Sequence, residues 1–320
     1  PARRAPAVGT VDGRRRPTHE LMTGTFDSQC DVLIVGGGPA GCATGIFTAR
    51  SDLETCVLDR GPSSIHHCAY LENYLGFPGG IDIQTFCALA HEHARQAGCT
   101  IHNDEATAVR KVDEGFLVET EDGRSIRADR VVAATKYSPD YLRVLGHEDA
   151  MFETYERDGE SRERFDDSYP DDDGTTPIDG LYVAGALADS PDQALISAGH
   201  GAVVGRRIRA DSRREQGYWD HVADRVDWMR RDRPDNEWSE PERWREWIHE
   251  RLPDDRDPTE ERVDEIVDRV IEEGIATYLS ADEIETRSRR GHRAIAEQLD
   301  DEVLCEVVDD EVLREYVESL

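Results

Sequence analysis

The feature that most restricts what this chain can fold into is the glycine turn Gly36-Gly37-Gly38-Pro39-Ala40-Gly41. It sits directly behind an apolar run, Asp31 to Gly36, that reads as a buried parallel strand. An Ala-rich helix follows to about Arg50, and Glu54 to Asp59 reads as a second strand, so the segment is one βαβ unit. In the G-x-G-x-x-G pattern Gly36 makes the tight turn, Gly38 lets a pyrophosphate approach the backbone, and Gly41 allows close helix-to-strand packing. Free N–H groups and the positive end of the helix then bind the phosphates. Asp59, at the end of the second strand, is placed to accept hydrogen bonds from an adenosine ribose. Pro39, Ala40 and Arg60 complete this group of cofactor-binding candidates. The pattern alone does not choose between NAD and FAD.

Further along, a helix is expected at about 83 to 97, a short strand near 99 to 102, a hairpin at about 105 to 128 turning on Asp122-Gly123, and the apolar strand Arg130 to Ala134. Residues 138–177 show little periodicity and read as a solvated connector. Gly180 to Gly185 is another buried strand, and Gln193 to Ala210 a Gly/Ala-rich helix. From about Asp211 the chain turns to charged amphipathic helices. Ser239-Glu-Pro-Glu242 and Ser280-Ala-Asp-Glu283 read as capping boxes. Val263, Ile266, Val267, Val270 and Ile271 recur at helical spacing up to Gly274, read as the residue just past the helix end. The tail repeats itself, Asp300 to Val308 echoed by Asp309 to Val317, and reads as a terminal helical segment. All five tryptophans (219, 228, 238, 244 and 247) lie in this half. Trp244 and Trp247 share a face, as core of a helical subdomain or as cover for a cleft or partner subunit.

The organisation expected is a disordered basic tail at 1–29 with Met22 as a candidate native start, a cofactor domain at 30–210, and an acidic helical extension at 211–320. The formal charge of −31 comes from 69 acidic against 38 basic residues, and Lys111 and Lys136 are the only lysines. Such a surface repels nucleic acid and anionic membranes. With 38% apolar residues in clear strand and helix periods, the acidity belongs to a folded protein rather than a disordered one. The expectation is a halophilic protein whose carboxylates are screened by salt. Seven scattered cysteines suit a reducing cytoplasm better than a disulfide scaffold, and no apolar run reaches the roughly 20 residues a membrane helix needs.

Over about residues 30 to 210 the sequence resembles the thioredoxin reductase-like flavoproteins. The resemblance is carried by Gly36 to Gly41, by Glu72-Asn-Tyr-Leu-Gly-Phe-Pro-Gly-Gly-Ile81, by the strand ending Ala133-Ala-Thr135, and by Gly180 to Gly185 followed by Gln193-Ala-Leu-Ile-Ser-Ala-Gly-His-Gly201. It implies an α/β fold: a Rossmann-like FAD-binding domain with a parallel central sheet and a small antiparallel β insertion, here followed by the α-helical C-terminal extension. It implies FAD as cofactor, a small-molecule or protein redox partner, and a homodimer. By the same resemblance Asn73 lines the flavin, Ala106 meets the adenine through its backbone, Thr135 closes the first half of the site, and residues 185 to 194, including Gly185, Ala186, Gln193 and Ala194, hold the ribityl chain and pyrimidine edge.

The chain departs from that pattern. Gly180 follows Thr135 within about 45 residues, leaving no room for the family's nicotinamide-binding domain, and there is no C-x-x-C pair. The family's acidic residue after Gly185 is Ala186, with Asp189 a possible substitute, and the glycine after Ala-Thr is Lys136, which either neutralises an anion in the site or is a solvated strand-end lysine. Cys68, in His66-His67-Cys68, is a candidate redox thiol, or simply a small apolar residue. No metal site is expected, and His91 and His93 are read as solvent side chains. Three functions remain open: an FAD-dependent oxidoreductase, a flavin-binding or assembly protein without turnover, and an NAD-binding module.

Overall fold

A computed structural model describes residues 28–60, 64–225, 230–232, 237–252 and 259–320. The expected tail, Met22 and Trp228 fall outside the described residues. In chain order, β1 (Ser28–Val35), α1 (Pro39–Ala49) and β2 (Thr55–Leu58) form the βαβ unit; β3 (Tyr70–Leu71) and β4 (Ile81–Asp82) pair as a small hairpin; α2 (Ile83–Ala97) leads to β5 (Thr100–His102). Then come β6 (Ala106–Lys111), β7 (Phe116–Thr120) and the nine-residue β8 (Ser125–Ala133).

The expected hairpin and apolar strand are therefore one continuous element. The sheet runs β5-β2-β1-β8-β7-β6, and β8 is where its character changes. Along one edge β8 pairs in parallel with β1 throughout. Along the other it pairs antiparallel with β7 over Ser125 to Ala128, then in parallel with β11 (Leu181–Val183) over Val131 to Ala133. The antiparallel meander and the late strand thus share one edge of one strand, with Gly180 at the fork: a Cβ there would lie 3.1 Å from both Asp129 O and the Phe116 ring.

Between β8 and β11 stand α3 (Glu148–Met151) and the hairpin β9 (Phe152–Arg157) to β10 (Glu160–Phe165). This corrects the reading of 138–177 as a solvated connector. Tyr141, Leu142, Met151, Phe165 and Ile178 are buried against the sheet face that carries Leu33, Val35, Leu58, Val131 and Val183. The hairpin turns at Asp158-Gly159, both in the left-handed region, a tight-turn signal hidden among charged neighbours.

The opposite face carries Val32, Ile34, Val57, Val132 and Tyr182 and is covered by α1, α2 and α4 (Ala194–Glu215). α1 and α4 approach to backbone contact: the Thr44 hydroxyl donates to Gly201 O at 2.9 Å, and a Cβ on Gly201 would sit 2.2 Å from Ala40 O. α4 runs past Ala210, so the change of composition near Asp211 falls inside a helix.

Beyond it are α5 (Asp220–Ala223), β12 (Arg231–Asp232), α6 (Pro241–His249), α7 (Glu260–Ile275), β13 (Tyr278–Leu279), α8 (Ala281–Ala296), α9 (Asp301–Val307) and α10 (Asp310–Ser319). Val263, Ile266, Val267, Val270 and Ile271 of α7 pack with Trp244, Ile248 and Val222 in a second core. Two expectations fail here. Ser239 ends a 3-10 turn and Pro241 takes the first helical position, so Glu240 occupies the cap, makes no side-chain capping bond, and no capping box forms. Gly274 lies within α7 rather than past its end, where a Cβ would meet the Trp244 ring at 3.0 Å. The Ser280 box does form, with the Glu283 amide donating to the Ser280 hydroxyl and the Ser280 amide to the Glu283 carboxylate. Arg213 and Arg209 of α4 reach Glu273 of α7 and join the two cores. No residue of α8, α9 or α10 is buried. Among the described residues no helix is long and apolar enough to cross a membrane.

Candidate functional site

The site is built where β1, β2, β8 and β11 end. Gly36 has φ +110°, and a Cβ on it would lie 2.7 Å from Ala134 O, so only glycine lets β1 turn here. The chain enters α1 at Gly38, with Pro39 at the first helical position, no side-chain cap and no acid in the first turn. The first amides of α1 are therefore open on their outer side, and a Cβ built on Gly38 meets nothing within 4 Å. Behind it Gly41 lies so close to Gly36 that a Cβ would be 1.8 Å from Gly36 O. These amides face a cleft of about 290 Å3 lined by Gly36, Gly38, Pro39, Ala40, Asp59, Arg60, Ala106, Thr135 and Ala186, with Ser64, Tyr137, Ser138 and Ser197.

Both oxygens of Asp59 are engaged. Oδ1 accepts the Gly37 amide at 3.3 Å, and Oδ2 lies 3.2 Å from His91 Nε2, which is also 3.0 Å from Gly37 O. This corrects the placing of His91 in solvent: it is half-buried and braces the turn. The Asp59 carboxylate raises its pKa, against the effect of burial, with the Gly37 carbonyl adding to the rise. His93 is exposed, as expected. Arg60 bridges Glu121 and Asp122 in the β7–β8 turn and stands 3.6 Å from Asp104. Burial works to raise the pKa of Asp104, but hydrogen bonds from Thr120 and the Glu105 and Asp122 amides, with Arg124 nearby, hold it below the usual carboxylate range. Arg60 thus fastens the meander to β2 beside Ala106.

A second cleft of about 300 Å3 continues from the first and is lined by Cys68, Asn73, Lys136, Ala186, Gln193 and Ala194. Gln193 caps α4 without a side-chain bond to its first turn, leaving that helix start open to the cleft in the same way as α1. The Asn73 amide donates to Gln193 Oε1 at 2.7 Å, tying the β3–β4 loop to α4. Lys136 Nζ is 2.8 Å from Asp192 Oδ2, and this bond holds its ammonium above the ordinary lysine range. Gly185 gives its amide to His200 Nδ1 at 2.9 Å, and burial lowers the His200 pKa, which favours the neutral acceptor form that this bond requires.

The structure therefore brings Gly36, Gly38, Pro39, Ala40, Asp59, Arg60, Asn73, Ala106, Thr135, Ala186, Gln193, Ala194 and Cys68 to two adjoining clefts. Gly41 and Gly185 are buried behind the lining. Asp189 is exposed at the end of a 3-10 turn and lines neither cleft, so it does not stand in for the missing acid at Ala186. Sequence reasoning did not single out Ser64, Ser197, Asp192, His91 or His200. Cys68 is exposed, whereas Cys42 is buried against Gly37 O, and burial pushes its thiol up to about 12. Among the described residues no group of three or more His, Cys, Asp or Glu side chains could hold a metal ion.

An open helix start behind a glycine turn, at the strand ends of a parallel sheet, defines a dinucleotide-binding module. Residues 30–158 match the family model described as pyridine nucleotide-disulphide oxidoreductase, and the chain is thioredoxin reductase-like. It is 31% identical over 111 residues to a thioredoxin reductase of Aquifex aeolicus, covering 34% of each chain. It is 32% identical over 119 residues to an alkyl hydroperoxide reductase of Staphylococcus aureus, covering 37% of this chain and 24% of that one. The matched region thus spans about a third or less of these relatives. A solved thioredoxin reductase structure from Gloeobacter violaceus aligns with TM-score 0.46 at 17% identity, over 58% of this chain and 96% of that one.

Proposed function

We propose that residues 30–210 bind FAD across the two clefts and that the protein is an FAD-dependent oxidoreductase using a small-molecule or protein redox partner. The observation that carries this reading is the uncapped start of α1 at Gly38, facing a cleft that continues to the equally open start of α4. The residues fit the group: the α1 amides for a pyrophosphate, Ala106 and Arg60 flanking the adenosine end, and Asn73, Gln193 and Ala194 at the ring end. When bound, the flavin supplies a hydride-accepting ring that no side chain provides. The chain's own contribution is electrostatic. Helix-start amides at each end favour negative charge, while the Asn73–Gln193 bond holds the loop and helix together. Asp59 holds the turn through the Gly37 amide instead of presenting free oxygens. Electrons then come from the substrate itself or from a separate carrier, with 211–320 as a helical extension.

A flavin-binding protein without turnover is the second reading, favoured by the exposed apolar side chains of α9 and α10, among them Val303, Val307, Val312 and Val317, which suit assembly. Faster reoxidation of the reduced flavin by a thiol, disulfide or quinone acceptor than by buffer supports the enzyme, and equal rates support the second reading.

Gly38→Asp tests the site itself. The new carboxylate enters open space and caps α1, which should raise apo-protein stability by a few tenths of a kcal/mol. It also faces the bound phosphates, and FAD affinity by fluorescence titration should fall by about two orders of magnitude, roughly 3 kcal/mol. Undiminished affinity in that variant counts against the site.

A further inference from the structure

The two clefts share Pro39, Ser64, Lys136, Ala186 and Ser197 as lining, so a ligand occupying both passes these five side chains. Among the described residues the only cationic side chains lining either cleft are Arg60 and Lys136. They are held differently. Arg60 is surrounded by Asp104, Glu121 and Asp122. Lys136 has one carboxylate partner, Asp192, whose side chain is 66% exposed on the turn ahead of α4. The Tyr137 ring lies 5.4 Å from its ammonium. Asp192 itself lines the second cleft.

We infer that Lys136 is the anion-recognition residue of the joined cleft and that Asp192 is a built-in competitor for it: a phosphate-bearing nucleotide takes the Lys136 ammonium by displacing the Asp192 carboxylate. The inference rests on the dinucleotide reading above and adds to it the residue that recognises charge. Exposed ion pairs are weak because both charges stay hydrated. A phosphate backed by the amides of α1 is a better partner for the ammonium than a single exposed carboxylate, since each donor removes part of its desolvation cost. In a chain of charge −31 an anionic ligand otherwise meets repulsion. The exchange lets the site carry one positive charge toward the ligand without leaving an unpaired lysine beforehand.

Binding of ADP, FAD and adenosine to the full chain in high salt, followed by calorimetry, tests this with Lys136→Gln, Asp192→Asn and the double variant. Lys136→Gln should weaken ADP and FAD by about 10-fold or more and leave adenosine unchanged. Asp192→Asn should tighten ADP and FAD by roughly 2- to 5-fold, and this gain should vanish in the double variant. Wild-type ADP affinity retained in Lys136→Gln, or a gain from Asp192→Asn that persists without Lys136, overturns the inference and leaves the dinucleotide reading standing. A wild-type chain that binds neither ADP nor FAD overturns both.

Discussion

At the scale of single residues, the turn at 36–41 is held by a short chain of bonds from Gly37 through Asp59 to His91. Because the folded His91 pKa is raised, the pair's contribution to stability is complete below the unfolded value near 6.5 and is lost as pH rises through the folded value. Denaturant unfolding at constant high salt should therefore show wild type more stable than His91→Gln at low pH, with the gap narrowing as pH rises. A gap independent of pH contradicts this. The glycines and Asp59 were legible because their roles are local: turn, close approach and strand end. His91 was not, since helical spacing shows only that it cannot share a face with His93 and is silent on what stands opposite. The same holds for His200, whose partner Gly185 is set by the late strand, and for Asp189, where distance along the chain says nothing of direction in space.

At the scale of elements, the βαβ unit, α2 and α7 follow from periodicity, and the structure has them close to where the apolar residues recur. What failed were elements defined by a partner. β8 reads as two pieces in sequence, a polar hairpin arm and an apolar strand, because its two halves meet different neighbours. The β9–β10 hairpin reads as connector because its charged side chains face solvent while a few large residues, Met151 and Phe165 among them, are buried. The α1–α4 crossing depends on the absence of a side chain at Gly201. Gly201→Ala places a methyl 2.2 Å from Ala40 O, where only backbone can yield. It should cost about 3 kcal/mol and open the cleft that both helix starts face, so FAD affinity should fall with the melting temperature. Unchanged values of both would show that the crossing tolerates separation.

At the scale of the whole molecule, composition decides behaviour more than topology does. With 69 acidic residues against 38 basic, self-repulsion is screened over about 10 Å at 0.1 M salt and about 3 Å at 1 M. The melting temperature should therefore climb steeply with potassium chloride, and one indifferent to it removes the halophilic reading. How the two cores join was not legible, because Arg209 and Arg213 look like any surface arginines until Glu273 is placed against them. The central claim is that amides at the start of α1 and α4 hold one FAD across adjoining clefts. Purified chain incubated with FAD in high salt and passed through a desalting column tests it most directly. The account predicts a yellow protein carrying about one flavin per chain, lost in Gly38→Asp; a colourless wild-type chain that nevertheless remains folded contradicts it.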